Sequence, residues 1–251
     1  MCRIDAYAGG LRCIATGAAP LGSEVERECA ERLGVPVLKQ FGMTETSGLV
    51  STTPADDPAK AKPGSVGPLV PNTEGRIVDP ATGEDLAAGE EGELWVRGPQ
   101  VMKGYLNRPD ATAAAIDAGG WLRTGDLCRA DEDGYLYVVD RLKELIKYKG
   151  WQVAPAELEA VLLSYPKVAD AAVIGSPDEE AGELPKAFVV AKEEPTAEEI
   201  LSFVAERVAS QKKVRKVEFV EDIPKSPSGK ILRRVLIERE RRQAAVVEGG
   251  R

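Results

Sequence analysis

Apolar positions come in short clusters along this chain, and the spacing of those clusters changes from one stretch to the next. Leu11 to Gly17 is apolar and β-leaning. Ser23 to Leu33 has helical character, with Ser23 predicted as N-cap and Gly34 as the stop. Val35–Gln40 reads as a short buried strand. It leads into a loop rich in small and hydroxyl residues, from Phe41 to Gly48. Pro, Gly and Asp punctuate Pro54 to Pro71, which predicts loop. Short β-like runs follow at Gly75–Asp79 and Gly92–Gly98. In the second, Leu94 and Val96 alternate with Glu93, Trp95 and Arg97 at strand period. A turn at Asp131–Gly134 precedes a strand at Tyr135–Asp140.

The texture changes after Asp140. Pro155–Ser164 is predicted helical, with proline near its first turn. Val168–Ile174, Ala187–Ala191 and Val217–Val220 are β-branched, strand-like runs. Thr196 to Ala209 opens with a capping box (Thr196 and Glu199) and carries Ile200, Leu201, Val204 and Val208 at helical spacing. A last helix is expected over Ile231–Arg242. A small β-rich subdomain up to about Asp140, then a compact mixed α+β domain, is the architecture these patterns imply.

Composition narrows the function classes. The chain has 251 residues, 33 basic and 41 acidic, for a net charge of −8. That balance argues against nucleic acid as a partner, because phosphate backbones are bound by basic surfaces. No apolar run is long enough for a membrane span, and no secretory leader is evident. The four cysteines (Cys2, Cys13, Cys29 and Cys128) form no C-x-x-C pair and no zinc spacing. They read as reduced thiols, which points to the cytoplasm. There are 0 histidines, so neither a Ser-His-Asp triad nor a His-ligated metal can be assembled within this chain.

Three stretches carry candidate chemistry. Gly17-Ala18-Ala19-Pro20 and, downstream, Phe41-Gly42-Met43-Thr44-Glu45 combine small residues, an aromatic and a carboxylate. Small residues let backbone approach a flat ring, and an aromatic can stack on it. A carboxylate can hold Mg²⁺ beside phosphates. The second stretch is Gly120–Asp126 with Asp140–Gly150. A loop Asp can accept both hydroxyls of a ribose, and an Arg can bind phosphate or ribose oxygens. The third is Pro224-Lys225-Ser226-Pro227-Ser228-Gly229-Lys230, which puts a lysine on a Gly-flanked loop. It is not a Walker loop, since Pro224 stands in the place of the early glycine and Ile231 follows Lys230. Each stretch alone is compatible with an ordinary turn.

Taken together, in one order, the three resemble the superfamily of adenylate-forming enzymes over about Leu11 to Arg242. The closest resemblance is to the 4-coumarate–CoA ligase, acyl-CoA synthetase and luciferase branch, carried by Val138–Gly150, Val153–Glu159 and Ile223–Arg233. The resemblance implies the carboxy-terminal half of such a ligase. Its fold would be α/β and α+β. Residues 1–140 would form part of the large AMP-binding domain (a partial sheet plus a β-rich subdomain), 141–243 an α+β lid, and 244–251 a disordered tail. It implies an acid–thiol ligase using ATP, Mg²⁺ and coenzyme A. A carboxylic acid would be joined to AMP, and the CoA thiol would then displace AMP.

The same resemblance assigns roles. Gly17, Ala18, Ala19, Pro20, Phe41, Gly42, Met43, Thr44 and Glu45 would frame the nucleotide, with Glu45 on the metal. Asp126 and Arg141 would hold the ribose. Lys230 would be catalytic in adenylation, with Lys147 turned to the nucleotide after lid rotation. Lys143 would be the hinge, and Lys149 and Gly150 would meet CoA. Phe41 stands where relatives often have Tyr, which removes a phenol, and Arg123 stands where His is common. The family's Pro-Lys-Gly phosphate loop is expected upstream of Gly17, so a complementing amino-terminal half is an expected partner. An inactive remnant, or an enzyme with another acceptor, are the alternatives.

Overall fold

The computed structural model describes residues 10–19 and 21–249 of the chain. It divides into two compact units, with the division between Leu142 and Lys143, two residues past the Asp140 boundary expected from sequence.

The first unit opens on a strand–helix–strand element. β1 (Ile14–Thr16) and β2 (Val37–Phe41) pair in parallel, with Thr16 opposite Lys39, and α1 (Ser23–Leu33) connects them. Gly34 ends α1 in the left-handed conformation, its N–H returning to the Ala30 carbonyl. The N-cap is Gly22, not Ser23, so the helix starts one residue earlier than the hydroxyl pattern suggested. β3 (Ser51–Thr52) pairs antiparallel with β2.

An antiparallel sheet follows, in the order β4-β8-β7-β6-β5. Its strands are β4 (Gly67–Pro68), β5 (Glu74–Val78), β6 (Gly92–Arg97), β7 (Leu122–Ala130) and β8 (Tyr135–Arg141), with α2 (Pro109–Ala115) between β6 and β7. The predicted alternation in β6 holds: Leu94 and Val96 are fully buried. They join Val50, Leu122, Cys128 and Leu136 in one core, against which Phe41 and Met43 also pack.

The second unit is built on a sheet of order β10-β9-β12-β11, with β13 added parallel to β12. The strands are β9 (Ile146–Tyr148), β10 (Trp151–Val153), β11 (Val168–Asp178), β12 (Gly182–Ala191) and β13 (Lys216–Phe219). Its helices are α3 (Pro155–Leu163), α4 (Ala197–Ala205) and α5 (Arg233–Gly249). The capping box at Thr196 and Glu199 forms as the sequence predicts. β9 and β10 were not predicted, because each is only three residues long and offers a single buried apolar position, Ile146 and Val153. α5 continues through Gly249, over residues expected to form a disordered tail from 244. The alanine pair Ala244-Ala245 favours that continuation.

Candidate nucleotide site

Gly17, Ala18 and Ala19 lie just past the carboxyl end of β1, and Phe41 and Gly42 lie at the carboxyl end of β2. The crevice outside the carboxyl ends of parallel strands is where α/β sheets receive ligands. Backbone closeness explains the small residues. A side chain on Gly17 would put its Cβ 3.2 Å from the Gln40 carbonyl oxygen. One on Gly42 would meet the Gly48 carbonyl at 1.9 Å, so the turn closes only over glycine. Ala18 adopts φ 73°, a left-handed conformation that costs an alanine free energy and marks a constrained loop. Pro20 lies outside the described residues.

Gly42 leads into a single 3-10 turn over Thr44–Thr46. The buried Thr46 hydroxyl donates to the Met43 carbonyl at 3.0 Å, which fixes the turn from inside and leaves Thr44 and Glu45 outward. The Glu45 carboxylate accepts a 2.7 Å hydrogen bond from the Tyr105 phenol. This pulls the phenol's pKa above its ordinary value, chiefly through that bond. Glu45 offers one carboxylate and the described residues contain no cluster of three or more metal-ligating side chains. A lone carboxylate is a donor set that would fit a Mg²⁺ arriving with phosphates.

Asp126 was expected on a loop. It lies instead within β7, in a double irregularity of the sheet. Glu93 opposes Leu127 and Trp95 opposes Arg123, so Leu94 alone faces the run Thr124-Gly125-Asp126. On the other side Leu127 opposes Asp140 while Cys128 opposes Val138, which leaves Val139 as an extra residue in β8. Bulges of this kind bend a strand and re-aim its side chains. Gly125 takes φ 72°, the Thr124 hydroxyl donates to the Leu94 carbonyl at 2.7 Å, and the Glu93 carboxylate accepts from the Gly125 N–H at 3.0 Å. Glu93 is itself braced by the Trp95 indole at 2.8 Å. The result is a buried Asp126 carboxylate 3.2 Å from the Arg141 guanidinium, whose backbone is its register partner on β8. Burial pushes the neighbouring Cys128 thiol well up, and the Asp126 charge adds to that.

In the second unit, Lys143 is exposed on a 3-10 turn over Leu142–Glu144. Lys147 is exposed in β9, its N–H donating to Glu183 at 2.8 Å. Lys149 and Gly150 form the two-residue tip of the β9–β10 hairpin, both left-handed at φ 46° and 82°. This is the tight turn whose twist matches its strands, and it explains the glycine. Lys230 closes another tight turn. The Ser226 N–H donates to its carbonyl, its own N–H returns to the Ser226 hydroxyl, and Gly229 supplies φ 81°. The turn is fastened by Lys225 to Asp170 at 2.6 Å. Behind it, Arg233 donates to Glu144 at 2.9 Å and to both oxygens of buried Glu159 at 2.7 Å.

Residues 3–106 match the family model described as AMP-binding enzyme, and residues 157–230 match the AMP-binding enzyme C-terminal domain. The chain belongs to the AMP-binding enzyme family. It is 56% identical over 230 residues to 4-coumarate–CoA ligase-like 6 of Oryza sativa subsp. japonica, covering 90% of this chain and 38% of that protein. It thus spans about two fifths of the length of the curated relatives it matches. Among solved structures it resembles o-succinylbenzoate CoA synthetase from Bacillus subtilis in complex with the acyl-adenylate OSB-AMP. The TM-score is 0.81 at 38% identity, covering 90% of this chain and 46% of that one. The amide bond synthetase McbA from Marinactinospora thermotolerans matches with a TM-score of 0.81 at 35% identity, covering 91% and 47%.

Within this family frame, three supporting residues were missed by sequence reasoning. Tyr105 lies sixty positions from Glu45, Glu93 acts through a backbone N–H, and Arg233 reaches Glu144 across 89 positions. Nothing in local periodicity signals such pairs. For Glu93, the one clue was the isolated Gly125 between Thr124 and Asp126, since a glycine within a strand favours a bulge.

Proposed function

We propose that this chain is the carboxy-terminal portion of an ATP-dependent carboxylate–CoA ligase. The observation that carries the reading is the Asp126–Arg141 pair, set into a doubly bulged sheet in the same unit as the Gly17–Ala19 and Phe41–Glu45 crevice. Identity to a 4-coumarate–CoA ligase-like protein over nine tenths of the chain supports it.

In this reading the small residues Gly17, Ala18 and Ala19 and the Phe41 ring border the adenine. Asp126 accepts both ribose hydroxyls, with the Arg141 guanidinium 3.2 Å from its carboxylate. Thr44 and Glu45 face the phosphates. When bound with nucleotide, Mg²⁺ would supply charge neutralisation at the α-phosphate, and Glu45 is the residue that would hold it. Lys230, held on its tight turn, is the lysine this reading assigns to the charge that builds on phosphoryl oxygens as a carboxylate attacks. For the second step the reading assigns Lys143 as hinge, Lys147 to the nucleotide and the Lys149–Gly150 tip to CoA. The CoA thiol attacks the acyl carbon and AMP departs. Cys13, Cys29 and Cys128 are free thiols, as suits the cytoplasm.

The test is carboxylate-dependent ATP–pyrophosphate exchange by the 251-residue chain, alone and mixed with an amino-terminal segment carrying a phosphate loop. Exchange is expected in the mixture and is expected to fall at least ~100-fold in Lys230→Ala, the scale for losing one electrostatic stabiliser. Exchange indifferent to that substitution rejects the reading. A second reading keeps the adenylate but uses an amine acceptor, favoured by the match to an amide bond synthetase. Mass spectrometry of products with CoA or an amine offered separately distinguishes the two.

A further inference from the structure

We infer that Tyr105 is a positioning residue for the metal-facing carboxylate of Glu45; this rests on the proposed reading of Glu45 above. The Tyr105 phenol donates to Glu45 Oε1 at 2.7 Å, which leaves the second oxygen, Oε2, outside that bond. The contact is not a chance meeting of two mobile side chains, because each partner is fixed from behind. The turn bearing Glu45 is locked by the Thr46 hydroxyl and by the close approach of Gly42 to Gly48. The segment bearing Tyr105 is tied to that turn twice more. The Met102 N–H donates to the Glu45 carbonyl at 2.7 Å, and the Ser47 hydroxyl donates to the Gln100 carbonyl at 2.9 Å. Tyr105 is held on its other side as well, by its N–H donating to the Thr112 hydroxyl at 2.9 Å. Gly104 makes room there, since a Cβ at that position would lie 2.7 Å from the Thr112 methyl.

Three hydrogen bonds therefore join Gln100–Tyr105 to Glu45–Ser47, and only the phenol reaches the carboxylate itself. A ligating carboxylate held by an outer hydrogen bond loses less orientational freedom when a cation arrives, and removing such an outer partner typically costs 10–100-fold in metal affinity. Tyr105 touches neither nucleotide nor reacting atoms in this assignment. It acts through Glu45.

The experiment uses the full chain with Mn²⁺ as probe. ATP binding is titrated calorimetrically with Mn²⁺ present and, separately, with EDTA, for the unsubstituted chain, Tyr105→Phe and Glu45→Gln. Tyr105→Phe keeps the ring and its packing. It is expected to weaken Mn²⁺-dependent ATP binding about 10-fold and leave metal-free ATP binding unchanged. Glu45→Gln is expected to weaken the former at least as much. If Glu45→Gln weakens Mn²⁺-dependent binding and Tyr105→Phe does not, the positioning role is overturned while the metal reading of Glu45 stands. If Glu45→Gln has no effect, or Mn²⁺ adds nothing to ATP binding by the unsubstituted chain, the metal reading fails and the positioning role with it. Equal losses with and without metal in Tyr105→Phe reduce the residue to a structural part and overturn the proposal.

Discussion

Asp126 combines burial with a cationic neighbour, and the combination sets what its replacement should do. Its side chain is 4% exposed and lies 3.2 Å from Arg141. Asn in its place keeps the shape and removes the charge that two ribose hydroxyls would donate to. Hydrogen bonds to charged groups are worth roughly 1.5–3 kcal/mol. Asp126→Asn is therefore expected to weaken AMP binding roughly 10–100-fold by calorimetry. The unsubstituted chain should lose a similar factor with 2′,3′-dideoxy-AMP, and the variant should lose nothing further with that ligand. A variant that still discriminates against the dideoxy ligand removes Asp126 from the ribose. The residue type and its neighbour in sequence were legible, but the setting was not. Read locally, Gly125 looks like a loop. In the structure it is one residue of a bulge whose partners, Leu94 and Glu93, come from another strand.

Elements were most legible where one face is continuously apolar. β6 and α4 show it, with Leu94, Val96, Ile200 and Val204 all fully buried. β11 and β12 run several residues past their predicted ends, because backbone pairing to Asp178 and Gly182 continues where side-chain alternation has stopped. Polar side chains hid a second element-level feature, where β11, β12, β13 and α5 meet. Lys186 of β12 is paired with Glu240 of α5 and with Glu218 of β13 at 2.7 Å, and Ser176 of β11 donates to Glu240 at 2.7 Å. Arg239 also reaches Glu218, and Lys216 donates to Ser176. Burial alone would push the Glu240 carboxyl up; the bonds from Lys186 and Ser176, with the Lys186 and Lys216 charges, reverse that and hold it below the ordinary range. A carboxyl depressed on folding contributes stability above its unfolded pKa, about 4.3 for Glu. That stability is lost as pH falls through the folded value. Glu240→Gln is expected to cost about 3 kcal/mol at neutral pH, the scale for breaking a buried pair. In urea unfolding, the gap between parent and variant should close as pH drops below ~4. A gap that stays constant across that range assigns the loss to packing.

At the scale of the whole molecule the chain holds two bodies that each own a core. The clusters around Leu158, Val173 and Ile200 and around Phe188 and Leu236 draw only on residues from Ile146 onward. The cluster around Leu94 and Leu122 draws only on residues up to Leu136. The sequence announced this division through a change in texture after Asp140, since a β-rich run gives way to mixed helix and strand. It could not place the boundary to the residue, because the Asp140–Gly150 stretch reads as one charged motif. The Arg233 fork decides where the second body begins: it holds Glu144 in place, one residue after exposed Lys143. Trypsin under limiting conditions is therefore expected to cut at Lys143 and leave a stable carboxy-terminal product of ~11 kDa, as ~100 residues require. Arg233→Ala should shift early cutting past Glu144, towards Lys147 and Lys149, by freeing the turn. It should also lower the product's stability by about 3–5 kcal/mol, because Glu144 and Glu159 lose the cation they share. Detection is by mass of the first fragments and by urea unfolding of the purified product. Failure of the unsubstituted chain to yield any stable product of that size denies the second unit its independence. A product indifferent to Arg233→Ala leaves the unit standing and removes the fork as its anchor.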